Sequence, residues 1–270
     1  MSAPAVQPRV AVAFLAHPDD AEILCAGTLA RLRQLGWELH IVTATAGDCG
    51  TTSLGPEAIS SIRTAEAQQS AALIGATYHC LGEMDGLVVY DKPTLARTYA
   101  LLRQICPSLV FTHPAKDYMM DHEQTSLLVR AATFAYACRN ISPVPLCNPS
   151  GAGVPHLYYC DPIEGVDPLG KPVRPTTIID ISAQRDLKLR MLACHASQRE
   201  WLRSHHGVDE YLDAVRRHDA ARGKLIRSPA AEAFVQHRGH AYPSDDLLKK
   251  LLPEQSTRRK GATKRRARRG

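Results

Sequence analysis

Between Val10 and Cys138 the chain alternates short apolar runs with longer helix-like stretches, four times over. Val10–Ala16, Glu38–Ala44, Thr77–Leu81 and Ser108–Thr112 read as strands. Glu22–Leu35, Pro56–Ile74, Pro93–Ile105 and Glu123–Cys138 read as the helices that follow them. Gly36 and Gly75 close the first two helices, and Pro56 and Pro93 open the second and third, which is ordinary helix punctuation. A strand that returns parallel to its predecessor needs a crossover, and a helix supplies it. The alternation therefore predicts a Rossmann-like three-layer α/β/α fold with a mostly parallel sheet.

The pattern loosens after residue 140. His156–Cys160 and Thr177–Ile181 read as two more strands, followed by helices over Ala183–Arg203, Val208–Leu225 and Ser244–Leu252. Loops at 45–56, 82–92, 140–155 and 161–175 are long for a compact fold, and loops of that length are expected around a functional site. With no internal repeat and no clean linker, residues 1–253 are expected to form a single domain.

Charge and composition narrow the function classes. The formal net charge is +6, yet residues 254–270 hold eight basic residues against one acid, so the rest of the chain is close to neutral. Such a tail is expected to be disordered and solvated. Anchoring to nucleic acid is the less favoured reading, because the tail has no aromatic residue for base stacking. No apolar run approaches the roughly 18 residues of a membrane span, and Met1–Arg9 lacks the pattern of a signal peptide. A cytoplasmic protein is expected, with a homo-oligomer left open. The eight cysteines form no CxxC pair, which suits reduced thiols better than a disulfide scaffold.

Two polar turns carry the chemistry. The first strand runs into His17-Pro18-Asp19-Asp20-Ala21-Glu22. His17 and Asp20, three residues apart in a turn that opens a helix, can face one divalent ion. Asp19 between them suits a base that activates a water on that ion. Glu22 reads equally well as a support behind the ligands or as a helix-start acid. The fourth strand runs into His113-Pro114-Ala115-Lys116-Asp117-Tyr118-Met119-Met120-Asp121-His122. Parallel strands bring both turns to the same sheet edge, where His122 would complete a His/Asp/His set with a position open for water. Asp121 could orient a neighbouring histidine. A GxGxxG turn is absent from the first strand end, which argues against a dinucleotide-binding enzyme.

Ala16-His17-Pro18-Asp19-Asp20 together with Asp121-His122 resembles the PIG-L/LmbE-like family of zinc-dependent N-acetylglucosaminyl deacetylases. The resemblance extends through Gly27-Thr28-Leu29, Thr45-Ala46-Gly47, Ile62-Arg63 with Glu66, and Cys194-His195-Ala196-Ser197-Gln198. It implies zinc, or ferrous iron, held by His17, Asp20 and His122. It implies Asp19 as general base, and Arg63 and Glu66 as substrate contacts or site supports. The substrate implied is a small N-acylated amino sugar such as an N-acetylglucosamine derivative.

One departure matters. Many family members carry His-Pro-Asp-His where this chain reads Met119-Met120-Asp121-His122. The missing histidine is thought to steady the oxyanion or protonate the leaving amine, and a thioether does neither. His113 is the first candidate to replace it, with Lys116 and Tyr118 behind. His195, on a helix with Arg190, Gln198 and Trp201, reads as a core histidine at least as well as a site residue. His205/His206 and His237/His240 suggest a second metal site only weakly. The departure also leaves open a catalytically altered or inactive metal- or glycoside-binding protein on the same fold, and an amidase acting on thiol-sugar conjugates.

Overall fold

The computed structural model describes residues 9–146, 153–206 and 211–253. Its strands are β1 (Val10–Leu15), β2 (Glu38–Thr45), β3 (Ala76–Glu83), β4 (Leu109–Thr112), β5 (His156–Cys160), β6 (Thr177–Asp180) and β7 (Ala231–Gln236). They form one sheet in the order β3-β2-β1-β4-β5-β7-β6. The first five in that order run parallel, and β7 runs antiparallel to both of its neighbours. The helices are α1 (Asp20–Leu24), α2 (Ala26–Gln34), α3 (Pro56–Ala72), α4 (Lys92–Ile105), α5 (Met120–Ala135), α6 (Arg185–Ala193), α7 (Ala196–His206), α8 (Tyr211–Leu225) and α9 (Leu247–Leu251).

The three-layer α/β/α expectation holds, and β1 shows why. Every residue of β1 is buried, as befits a central parallel strand covered on both faces. Ala11, Ala13 and Leu15 face a core made with α1, α2, α3 and α6. Val10, Val12 and Phe14 face a second core made with α4 and α5. The two-residue period of the strand thus assigns alternate side chains to opposite layers.

Three features depart from the sequence pattern, and each is made by a distant partner. β7 was not expected; its second residue, Glu232, is a buried carboxylate. That carboxylate accepts the Gly27 and Thr28 amides at 2.9 and 2.7 Å and the Lys188 ammonium at 2.9 Å. Lys188 also pairs with Asp219 at 2.7 Å. The same contact divides the expected helix Glu22–Leu35 into α1 and α2 at Cys25, since Glu232 satisfies the orphan amides of a new helix start. The expected helix Ala183–Arg203 likewise divides into α6 and α7, where Glu66 accepts the Ser197 amide at 2.9 Å and the Ser197 hydroxyl at 2.6 Å.

Other expectations fall differently. Cys106 is disulfide-bonded, so the reduced-thiol reading fails there and the cysteines no longer argue for a reducing compartment. Cys25, Cys49, Cys80, Cys138, Cys160 and Cys194 are free thiols. Cys147, the basic tail at 254–270 and the side chains of His205 and His206 lie outside the described residues. No helix among the described residues is long and apolar enough to cross a membrane.

Candidate active site

β1 and β4 are neighbours, with Ala11 opposite Leu109 and Ala13 opposite Phe111. The chain leaves β1 for one face of the sheet and β4 for the other. Their carboxyl ends therefore flank a crevice, the usual place for a ligand in an open α/β sheet. Both polar turns open there, at the floor of a cavity of about 930 Å³. The loops at 45–56, 82–92 and 161–175 contribute Cys49, Asp85 and Ile163 to its wall. No described residue of loop 140–155 does so. Instead the Ser142 and Val144 carbonyls accept from Arg103 of α4 at 2.8 and 2.6 Å.

The turn after β1 is tightly built. Asp19 caps α1 with φ 99°, and the His17 amide donates to Asp20 Oδ2 at 2.7 Å. His17, Asp20 and His122 offer ligand atoms that all lie within 4.8 Å of one another. Each histidine gives its other ring nitrogen to a carboxylate. His17 Nε2 meets Asp121 at 3.1 Å, and His122 Nδ1 meets Asp117 at 3.0 Å. Such a carboxylate fixes the tautomer and leaves the remaining nitrogen's lone pair for a cation. His17 Nδ1 and His122 Nε2 then face Asp20, at 3.5 and 3.7 Å. This N, N, O donor set beside an open cavity fits a divalent metal such as zinc.

Two other groupings fit a metal less well. His113, Asp117 and His122 are all buried, and Asp117 already holds His122. Asp48 and Asp85 interlock two loops, since Asp48 accepts the Asp85 amide at 2.7 Å and Asp85 accepts the Cys49 amide at 3.0 Å. Burial and the Asp48 and Asp85 carboxylates push the Cys49 thiol up, away from nucleophile behaviour.

The two adjacent carboxyls are driven apart. Burial pushes Asp19 above the usual carboxylate range, against the opposing charge of Arg63. Burial alone would do the same to Asp20, but His122 and His113 beside it hold it well below that range. The two neighbouring carboxyls are thus held in different electrostatic environments. Tyr211 of α8 donates its hydroxyl to Asp19, 192 positions away in the sequence.

The expected supports take up distinct positions. Arg63 is 3% exposed, and its guanidinium donates to the Pro18 carbonyl at 3.0 Å and the Gly47 carbonyl at 3.3 Å. A Cβ at Gly47 would lie 2.5 Å from that guanidinium, and one at Gly50 2.3 Å from it. Both glycines therefore make room for an arginine that braces the Asp19 turn. Glu22 accepts from Ser70 at 2.5 Å and lies 3.3 Å from His195. Burial alone would raise the Glu22 carboxyl, but the His195 charge brings it below its ordinary value. Asp121 accepts the Gly86 and Val88 amides at 2.6 and 3.2 Å in addition to His17.

Asp121 meets a histidine of the cluster, and that histidine is His17. The partner of His122 is Asp117, which the sequence reading passed over although it stands in the same turn. His113 is fully buried. It stacks on His122 with ring centroids 3.8 Å apart, and its Nε2 lies 3.0 Å from the Ala16 amide and 3.1 Å from Asp20. Burial and the neighbouring His122 push it down to about 4, so it is a neutral ring packed behind Asp20. Of the three candidates to replace the missing histidine, Tyr118 lies on the cavity wall, with Met119 beside it. Lys116 points instead to Glu123, at 3.7 Å. His237 meets the Tyr159 hydroxyl at 2.9 Å and lines a shallow pocket with His240 and Arg130. No carboxylate lines that pocket among the described residues, so the pair does not make a metal site.

The fold and site together define a three-layer α/β protein with a candidate metal centre at the crevice beside β1. Residues 12–133 match the PIG-L family model, described as GlcNAc-PI de-N-acetylase, so the family resemblance read from the sequence holds over that segment. A 4-oxalmesaconate hydratase from Pseudomonas putida is 26% identical over 198 residues, covering 70% of this chain and 74% of its own. A diacetylchitobiose deacetylase from Thermococcus kodakarensis is 26% identical over 196 residues, covering 67% of each. The solved N,N'-diacetylchitobiose deacetylase from Pyrococcus horikoshii superposes with a TM-score of 0.71 at 25% identity, covering 88% of both chains.

Proposed function

We propose that this protein is a metal-dependent deacylase that hydrolyses the amide of a small N-acylated amine, with an N-acetylated amino sugar as the first candidate. The observation that carries this reading is the convergence of His17, Asp20 and His122 on one point, with each imidazole held by its own carboxylate and Asp19 adjacent. A zinc or ferrous ion held by these three would polarise the amide carbonyl and lower the pKa of the attacking water.

The chain's own residues do the rest. Asp19, raised by burial, takes the proton from the water and returns it to the departing amine. Arg63 and Tyr211 hold that carboxylate in place. Asp121 and Asp117 keep His17 and His122 in the tautomers that binding needs. Tyr118, on the cavity wall, is the group we assign to donate to the carbonyl oxygen, the role that Met119 cannot fill. His113 supports Asp20 from behind rather than meeting substrate, and Arg63 supports the turn rather than the sugar.

The hydratase relative supports a second reading, in which the same base and ion add water across an activated double bond. One panel separates the two. Amine release from N-acetylglucosamine derivatives, lost on chelation and restored by zinc, is the expected result. Loss of absorbance from an unsaturated dicarboxylic acid, with no amine released from any amide, would replace the deacylase reading with hydration.

A further inference from the structure

The cavity has two chemistries. Its floor is polar, and several floor groups are engaged with one another. Arg63 donates to two carbonyls, Asp19 accepts from Tyr211, and Asp85 accepts the Cys49 amide through one oxygen. The other Asp85 oxygen and the Gln198 carbonyl oxygen have no hydrogen-bond partner among the described residues, and these acceptors are few beside the many hydroxyls of a bare sugar.

Above the floor the wall turns apolar. Trp201 and Leu202 of α7, Val215 of α8, Ile163 from the turn after β5 and Ile23 of α1 all line it, and Met119 adds a thioether in place of the family's histidine. The helices that bring these groups are fixed relative to the floor. Glu66 of α3 holds the start of α7 through Ser197, and Tyr211 at the start of α8 is tied to Asp19. The apolar wall is thus a lasting part of the site. A volume of about 930 Å³ stands near the upper end for sites that enclose a drug-sized ligand.

We infer that the substrate carries, besides the scissile amide, an apolar group that lies against the α7–α8 wall. This rests on the deacylase reading. The apolar group can belong to the acyl chain or to the aglycone on the amine side, and two substrate series distinguish these sources.

The test uses the zinc-loaded full chain. One series is N-acylglucosamine with acetyl, butyryl, hexanoyl and octanoyl chains. The other is N-acetylglucosaminide with methyl, butyl and octyl aglycones. In one series kcat/KM is expected to rise by about tenfold or more, from acetyl to hexanoyl (four more methylenes) or from methyl to butyl (three more). That is well inside the roughly fourfold per methylene that complete burial supplies. Leu202→Asn and Val215→Asn are expected to flatten the dependence. A second readout does not need turnover. Quenching of Trp201 fluorescence, checked against Trp201→Phe, reports binding of N-octylglucosamine against glucosamine, and the octyl compound is expected to bind at least about tenfold tighter. Acetyl turnover with a flat or falling response in both series overturns the inference and leaves the deacylase reading standing. Octyl binding no tighter than glucosamine overturns it whatever the reaction. Tight octyl binding with no amine released from any amide overturns instead the deacylase reading on which it rests.

Discussion

The floor and the roof of the cavity are built by opposite rules. The floor comes from two strand-end turns whose ligand residues lie close in sequence, and its polar groups are buried and cross-braced by carboxylates. The roof comes from α7 and α8, late in the chain, and meets the cavity with apolar side chains. On the proposed reading, the chemistry is concentrated where the backbone is pinned by a parallel sheet, and the choice of substrate falls to helices that can change their side chains without disturbing it. If this division is sound, floor substitutions should alter metal content or the chemical step, and roof substitutions should alter KM and leave metal alone.

The largest effect is expected from His122→Ala, which should lose bound metal and turnover together. Metal stoichiometry by atomic emission checks this, and full retention of metal would remove His122 from the donor set. Asp19→Asn should keep its metal and lose turnover by about a hundredfold to ten-thousandfold, the range for a general acid–base group. Near-wild-type rates would move the base elsewhere. Asp117→Asn is a gentler break of the floor. Metal affinity should weaken by about tenfold to a hundredfold, with kcat recovering at saturating metal, and competition with a chelating dye would show it. The smallest effect belongs to the roof anchor. Glu66→Ala removes the carboxylate at the start of α7, a cap-like contact worth about 0.5–2 kcal/mol. It should lower the melting temperature slightly and raise KM, with metal content unchanged. A loss of metal in this variant would break the division between floor and roof.

The same division decides what could be read from the sequence. His17, Asp20 and His122 were legible because each lies in a turn that directly follows an apolar strand, and parallel neighbours must bring such turns together. The layers were legible for a similar reason, since β1 and its helices follow local periodicity. Asp117 was within reach, in the same turn and five residues before its histidine. Glu66 was named through the family resemblance but its pairing with Ser197 was not, and Glu232 and Tyr211 were not legible at all. Each makes its decisive contact with a residue more than a hundred positions away, and local pattern carries no trace of such a partner. β7 belongs with these, since its buried Glu232 is satisfied by Lys188 and the start of α2.

The backbone at Asp19 has a consequence of its own. Its φ of 99° lies where glycine rests comfortably and an aspartate is strained, at a cost on the order of 1–3 kcal/mol. Natural selection for folding alone would favour glycine at that position. That the chain keeps a carboxylate there suggests that fitness at residue 19 is set by something other than stability. Directed evolution screened only for thermostability should therefore tend to discard Asp19, and a library screened on turnover should tend to restore it.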